Sequence, residues 1–246
     1  MARKFFIKNE KTLSIGEILE IDGEEFNHIA NVLRKKVGDS LCLIDGTGLD
    51  YFCTIEKICK KSAVVKIKKI EKTTAETSSE VTVFMALTKG EKMGFICQKL
   101  TELGVREIVP FASKFCQVKK NNVNVEKLQK ISNEALKQCG RSLSVKIENA
   151  LGFEEMLTKL GEYECVLFAY ENCFDNVDIK KELTSKKKVA IIVGSEGGFS
   201  FEESERIVSR NNVLSVSLGN RILRAETAAI GLSSVVMFLL GEWERK

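Results

Sequence analysis

The feature that most restricts the fold of this chain is a change in its hydrophobic pattern across a polar stretch. Residues 72–80 (KTTAETSSE) contain no apolar repeat. Before them, short apolar runs separated by turn residues are typical of β-strands. After them, apolar runs alternate with segments of helical spacing, which predicts an α/β domain with a mostly parallel sheet. We therefore expect two domains, a small β-barrel with one helix over residues 1–74 and an α/β domain over residues 75–246.

The first domain is predicted to contain mainly strands. Its one helix covers Glu24–Arg34, where Phe26, Ile29 and Leu33 recur at helical spacing. The predicted strands are Arg3–Lys8, Leu13–Ile21, Leu41–Ile44, Tyr51–Ile58 and Ala63–Ile70. Residues 56–72 hold seven lysines against two glutamates. On a barrel such a run is able to follow a phosphate backbone, although the same run also suits a plain solvated face.

The second domain is predicted to alternate strands with helices. Its strands are Val81–Leu87, Glu107–Phe111, Cys165–Ala169, Val189–Val193 and Val213–Leu218. Its helices are Glu91–Leu103, Asn124–Cys139, Phe201–Ser209 and Glu226–Leu240. The longest uncharged stretch runs over fifteen residues, from Thr227 to Gly241. That is too short to span a bilayer, so no membrane segment is predicted.

Composition excludes several classes of site. The chain has 246 residues, 44% of them apolar, which is enough to build a sizeable core. A single histidine, His28, excludes zinc sites built on several histidines, and we predict no metal site. The eight cysteines form no C-x-x-C pair, which favours free thiols in a reducing cytoplasm. A net charge of +4 permits nucleic-acid binding without requiring it.

A glycine-rich turn follows the strand predicted at Val189–Val193. In residues 191–200 (IIVGSEGGFS) the apolar run leads into Gly194, and Ser200 with Glu203 has the spacing of a capping box. A strand, a glycine turn and a helix start together offer free backbone N–H groups to a ligand. A plain connection between strand and helix gives the same pattern.

A second turn, in residues 218–229 (LGNRILRAETAA), is rich in arginine. Arg221 and Arg224 follow the strand end, and Glu226 comes just before the long apolar helix. The planar guanidinium suits a phosphate or the edge of a base, and ligands of α/β sheets bind at such strand ends. Salt bridges at a helix start are the alternative interpretation.

Five segments, taken together and in this order, resemble one family. They are HIANVLR (28–34), KGEKMGFICQKLTELGV (89–105), QCGR (138–141), IVGSEGGFS (192–200) and LGNRILRAETAA (218–229). The chain thus resembles the RsmE-type 16S ribosomal RNA methyltransferases of the SPOUT superfamily. It departs from the family pattern at Ser195, where the family carries proline, and this substitution makes the loop less rigid.

The resemblance implies an N-terminal PUA-like β-barrel and a C-terminal α/β domain with a trefoil knot. It implies a homodimer that uses S-adenosylmethionine, without a metal, to methylate N3 of a uridine in 16S rRNA of the small ribosomal subunit. The residues it implies for the cofactor are Ala86, Leu87, Gly194, Glu196, Gly197, Gly198, Leu218, Gly219, Arg221, Ile222 and Leu223. We expect RNA contacts from Arg34, Lys89 and Arg141.

Methylation of uridine N3 requires the loss of its proton. We expect Arg221 or Arg224 to stabilise the negative charge that develops on the uracil oxygens, and Glu226 to act as the base or only to orient Arg224. Three alternatives stay open from the sequence. They are a non-catalytic RNA-binding protein of the same fold, a SPOUT ribose 2′-O-methyltransferase, and a small-molecule enzyme with Cys139 as nucleophile.

Overall fold

The computed structural model describes residues 3–8, 11–173 and 177–244, which form two compact units. The N-terminal unit contains the residues up to Glu76 together with Asn133–Ser144. The C-terminal unit contains Thr77–Ser132 and the residues from Val145 onward.

The N-terminal unit is built on a five-stranded mixed sheet. Its strands are β1 (Lys4–Phe6), β2 (Ile18–Ile21), β3 (Ser40–Ile44), β4 (Leu49–Ile58) and β5 (Ala63–Lys72). Their spatial order is β1-β3-β4-β5-β2, with β1 parallel to β3 and the other pairs antiparallel. Side chains alternate along the long strands, so that Tyr51, Cys53 and Ile55 are buried while the lysines of β5 are exposed or half-buried.

The helical segment of this unit is irregular. Helix α1 (Gly23–Asn27) continues directly into a π-helical turn, His28–Val32. Ile29 is fully buried in the core of the sheet, and the ring of His28 meets the ring of Phe5 edge-on at 6.0 Å. The half-buried His28 therefore contributes to packing.

The unexpected part of this unit is Asn133–Ser144, which the predicted division had placed in the second domain. It comprises the last part of helix α3 (Val125–Cys139) and the residues after it. One oxygen of the Glu76 carboxylate accepts hydrogen bonds from two nitrogens of Arg141, at 3.0 and 2.8 Å. The other oxygen accepts from the backbone N–H groups of Ser142 and Leu143. This carboxylate therefore ties the segment to the N-terminal sheet.

A six-stranded parallel sheet forms the centre of the C-terminal unit. Its strands are β6 (Glu80–Ala86), β7 (Glu107–Phe111), β8 (Lys146–Ile147), β9 (Cys165–Ala169), β10 (Lys188–Val193) and β11 (Val213–Val216). They lie in the order β11-β9-β10-β6-β7-β8. Strand β10 pairs with β9 on one side and with β6 on the other.

Helices cover both faces of this sheet. They are α2 (Lys92–Leu103), the first part of α3, α4 (Phe153–Lys159), α5 (Ile179–Leu183), α6 (Phe201–Val208) and α7 (Ala225–Leu239). Short 3₁₀ turns lie at Lys120–Asn122 and Leu160–Glu162. Alternate residues of β10 pack into two separate apolar cores, Ile191 with α2 and α7, and Ile192 with α4 and α6. This three-layer arrangement explains the continuous apolar runs of β6 and β10.

The structure confirms the α/β fold class and nearly all the predicted elements. Three short ones were not predicted: β8, α4 and α5. Strand β8 has only two residues and α5 only five, which is too short for a periodic signal. Within the described ranges no helix is long and apolar enough to cross a membrane. The trefoil knot stays a prediction.

The Glu76 carboxylate generates a prediction about stability. Replacing Arg141, which is only 2% exposed, by Met leaves a buried carboxylate without its cationic partner. We expect a loss of about 3–5 kcal/mol in the free energy of unfolding, measured by urea titration with circular dichroism. The matched control is Arg210→Met at an exposed position, where we expect a change within about 0.5 kcal/mol. Equal stabilities of the two variants would contradict the assignment.

Candidate functional site

The carboxyl ends of four parallel strands meet at one edge of the C-terminal sheet. Because β10 pairs in register with both β6 and β9, Val193 lies next to Met85, and Ile192 lies next to Phe168. The chain leaves β10 through the glycine-rich turn and β11 through the arginine-rich turn. In open α/β sheets this edge is where ligands bind.

A cavity of about 490 Å³ opens at this edge, a volume typical of small-molecule sites. Both predicted turns contribute to it, together with the start of α2 and the end of β9. Its lining residues are Lys92, Ala169, Glu171, Val193, Gly194, Ser195, Glu196, Gly198, Phe199, Ile222, Leu223, Arg224, Ala225 and Ala228.

The glycine-rich turn has a backbone that other residues do not readily adopt. Gly198 has φ +66°, and a Cβ on Gly194 would lie 2.9 Å from the ring of Phe199. The helix after the turn starts as predicted, because the Ser200 hydroxyl and the Glu203 carboxylate cap each other's backbone N–H groups. The turn is therefore fixed at its helical end, and within it the Gly198 N–H donates to the Ser195 carbonyl at 3.0 Å.

Three charged side chains from three different elements meet beside the cavity. The Lys92 ammonium donates to Glu196 Oε1 at 2.8 Å and lies 3.8 Å from Glu226 Oε2. The backbone N–H of Lys89 also donates to Glu196 Oε1, at 3.4 Å. Lys92 thus holds one carboxylate by a hydrogen bond and faces the second one without bonding it.

The charge of Lys92 affects the titration of its partner. Burial by itself would raise the pKa of Glu196, but the hydrogen bond from Lys92 and the backbone N–H groups outweigh it. The pKa of Glu196 therefore lies below its ordinary value. Glu196 is ionised at neutral pH, and it keeps the ammonium of Lys92 in place.

Two polar atoms of the glycine-rich and arginine-rich segments are buried without a hydrogen-bond partner among the described residues. They are Ser195 Oγ and Glu226 Oε2. Buried polar atoms in proteins almost always have a partner, so a ligand is expected to supply the missing donor. Ser195 lines the cavity, whereas the Glu226 side chain is 18% exposed beside Lys92.

The structure brings together about half of the residues predicted to hold a cofactor. Gly194, Glu196, Gly198, Ile222 and Leu223 line the cavity. The others do not: Ala86, Leu87, Gly197, Leu218, Gly219 and Arg221. Leu87 instead lines another cavity, described below, and Ala86 is fully buried in the core of the sheet.

The predicted catalytic residues flank the cavity. Arg224 lines it and occupies the N-cap position of α7, while Arg221 lies in the exposed turn before it. Glu226 follows in the first turn of α7. Sequence reasoning missed Lys92 and Ser195. The sequence did offer a signal for Lys92. It lies three residues after Lys89, a predicted RNA contact, at the start of the predicted helix Glu91–Leu103.

The three predicted RNA contacts have different surroundings. Arg34 is exposed and has φ +51°, a conformation that is uncommon for residues other than glycine. Lys89 is exposed at the end of β6. Arg141 is buried and bound to Glu76, so its side chain is not available to RNA in this structure and its predicted contact is replaced by a structural role.

Two family models match the chain. Residues 75–237 match the RNA methyltransferase domain, and residues 21–68 match the RNA methyltransferase PUA domain. The chain belongs to the family of RNA methyltransferases that combine these two domains.

Individual relatives carry more specific names than the two family models. The chain is 35% identical to ribosomal RNA small subunit methyltransferase E of Rickettsia conorii, over 87% of this chain and 86% of the relative. It is 27% identical to the protein of the same name from Bacillus subtilis, over 97% and 96%.

Solved structures agree with this similarity. A methyltransferase from Legionella pneumophila, in complex with the cofactor SAM, has a TM-score of 0.85 at 28% identity, covering 97% of this chain and 98% of that one. Ribosomal RNA small subunit methyltransferase E from Neisseria gonorrhoeae, bound to S-adenosyl methionine, has a TM-score of 0.84 at 26% identity, with the same coverage.

The charge cluster generates a prediction about pH. In a Lys92→Met variant we expect the pKa of Glu196 to rise, because burial then acts without the opposing ammonium. A carbon-detected NMR titration of labelled glutamate measures this value. Since the native pKa is lowered, the pair stabilises the fold at neutral pH and loses this effect as the pH falls through that pKa. Lys92→Arg is the control that keeps the charge, and an unchanged Glu196 pKa in Lys92→Met would refute the pairing.

Proposed function

We propose that this protein transfers a methyl group from S-adenosylmethionine to N3 of a uridine in 16S rRNA of the small ribosomal subunit. The observation that carries the proposal is the cavity at the carboxyl edge, where both family turns meet beside Lys92, Glu196 and Glu226. The relatives named above are ribosomal RNA small subunit methyltransferases, and two similar structures contain the cofactor.

The residues at the cavity fit this cofactor. Gly194 and Gly198 leave part of the cavity wall without side chains, so a ligand can approach the backbone there, and Ile222 and Leu223 offer apolar surface for the faces of an adenine ring. The Ser195 hydroxyl has an unfilled hydrogen-bonding capacity. When bound, S-adenosylmethionine supplies an electrophilic methyl group.

The chain's own residues then have to prepare the uracil. The N3 proton has to leave before the nitrogen becomes a good nucleophile, and Glu226 Oε2 is a buried acceptor without a donor. We assign it the role of general base. Arg224, which lines the cavity, stabilises the negative charge that spreads onto the uracil oxygens, with Arg221 as the second candidate. Holding N3 in line with the methyl group supplies much of the remaining rate.

RNA is bound by exposed basic side chains of both units. Arg34 and Lys89 are exposed, as are Lys57, Lys68, Lys69 and Lys72 of the N-terminal sheet. Such contacts fix the position of the RNA backbone and weaken with salt. Ribosomal subunits as substrate place this activity in the cytoplasm.

The protein acts as a homodimer in this proposal. Helix α7 buries one apolar face in the core, but leaves Val235 46% and Phe238 62% exposed. Trp243, 57% exposed, meets Phe238 edge-on and extends this apolar surface. A contiguous exposed apolar surface is typical of a subunit interface, and a twofold axis would bring two copies of it together. Sedimentation velocity of the wild type measures the oligomeric state.

The first test is the identity of the product. Purified protein with labelled S-adenosylmethionine and unmodified small subunits is expected to give labelled 3-methyluridine, identified by nucleoside mass spectrometry of the digested rRNA. A ribose-methylated nucleoside would keep the fold and overturn the proposed chemistry. The absence of both methyl transfer and cofactor binding would favour the RNA-binding alternative. Normal transfer by Cys139→Ser excludes the cysteine nucleophile.

The second test concerns the base. Glutamine has the size of glutamate but cannot accept the proton. In Glu226→Gln we therefore expect the rate to fall by roughly 10²–10⁴-fold, and the rise of the rate with ionisation of Glu226 to disappear from the pH profile. The measurement is a profile of single-turnover rate against pH at saturating cofactor. Glu202→Gln, an exposed carboxylate at the start of α6, is the matched control. An unchanged rate and profile in Glu226→Gln would remove the base role.

A further inference from the structure

A second cavity lies on the C-terminal unit between α2 and the first half of α3. Its volume is about 550 Å³, somewhat larger than the cavity assigned to the cofactor. It begins at Leu87 and Thr88, directly after β6, and extends to Ile131 on α3. Residues of the glycine-rich and arginine-rich turns do not line it. It is therefore a separate cavity on the same unit, and none of the residues assigned to methyl transfer line it.

Different residues at the start of α2 line the two cavities. Glu91, Gly94 and Gln98 follow one another at helical spacing and line the second cavity, whereas Lys92 lines the first. Successive residues of an α-helix are rotated by about 100°. A group bound in the second cavity thus lies beside residues of α2 other than Lys92, and in this proposal it is distinct from the group that receives the methyl.

The floor of the second cavity is apolar. Leu87, Met93 and Leu128 are buried there, and Val118 and Val123 add apolar surface. Phe95 lines the cavity with 47% of its surface exposed. Such a lining suits the face of a flat ring, and an exposed aromatic side chain is the group on which unstacked bases stack.

The polar groups around this floor suit the edge of a base. Three residues with side-chain amides line the cavity, Gln98, Asn122 and Asn124. An amide carries both donors and acceptors, although Asn124 Oδ1 already accepts from the backbone N–H of Lys127 at 2.8 Å. Thr88 is 5% exposed, and its hydroxyl has no hydrogen-bond partner among the described residues. A buried hydroxyl in a cavity wall points to a ligand that completes its hydrogen bonding.

The charges argue against a phosphate as the occupant. The lining carries one cation, Lys127, and one anion, Glu91, so it offers no net positive charge. A neutral planar group with N–H and C=O edges matches this lining better. Among the groups that RNA contains, only the bases have this chemistry.

We propose that this second cavity binds an unstacked base of the substrate RNA that flanks the methylated uridine. The inference rests on the proposed function for the identity of the RNA. Gln98 and Asn122 read the edge of the base, and Thr88 completes the hydrogen bonding. The site fixes the register of the RNA strand, and so determines which uridine reaches the cofactor cavity.

The test compares a Gln98→Leu/Asn122→Leu double variant with the wild type on unmodified small subunits. We expect KM for subunits to rise by about 5- to 100-fold, with the dissociation constant for S-adenosylmethionine within twofold of the wild type. The slope of log(kcat/KM) against log salt should stay the same, since no phosphate contact is removed. Gln117→Leu makes the same chemical change at an exposed position outside the lining, and should leave all three values unchanged.

Further measurements separate the competing explanations. Thr88→Val replaces only the hydroxyl by a methyl group, and it should raise KM for subunits by a smaller factor than the double variant. Retained cofactor binding shows that each variant is folded. An unchanged KM, a loss of cofactor affinity instead, or a flatter salt slope would each overturn the base site. If the wild type transferred no methyl group, the proposed function would fail. Co-sedimentation of the variants with subunits would still decide whether this cavity contributes to RNA binding.

Discussion

The candidate site depends on the in-register pairing of β10 with β6 on one side and β9 on the other. Parallel pairing places the carboxyl ends of these strands at the same edge of the sheet, so the loops that follow the strands all begin at that edge. The glycine-rich turn after β10 and the start of α2 after β6 become neighbours for this reason. The continuous burial of β10 on both faces makes that register costly to change.

The charge cluster at this edge follows from that arrangement. Lys92, Glu196 and Glu226 come from the starts of two helices and from the loop between a strand and a helix, and none is close to another in the sequence. Lys92 bonds Glu196 at 2.8 Å and lies 3.8 Å from Glu226, so the two carboxylates have different surroundings. The bonded carboxylate holds the ammonium in place, whereas the second one is the general base in our proposal.

The N-terminal unit shows how a short segment can belong to a domain that lies far away in the sequence. Residues 133–144 join that unit because Glu76 satisfies Arg141 and two backbone N–H groups at once. The Lys4 ammonium adds hydrogen bonds to Asp50 and Ser142, both at 2.7 Å. Such buried charges are costly unless every partner is present, so the segment is held in one position.

The sequence by itself determined the α/β class, the change of architecture near residue 75, and the two turns that meet at the cavity, because these depend on local periodicity, glycine and capping residues. It did not reveal β8 or α5, which are too short to show a period. Arg141 stands in the sequence as a basic residue at a helix end, and only the fold shows it buried against Glu76. The two carboxylates beside Lys92 and the cavity beside Gln98 likewise emerged only from the tertiary structure. Local interactions specify the helices and strands, but the partner of a charged side chain and the space between two helices depend on residues far apart in the chain.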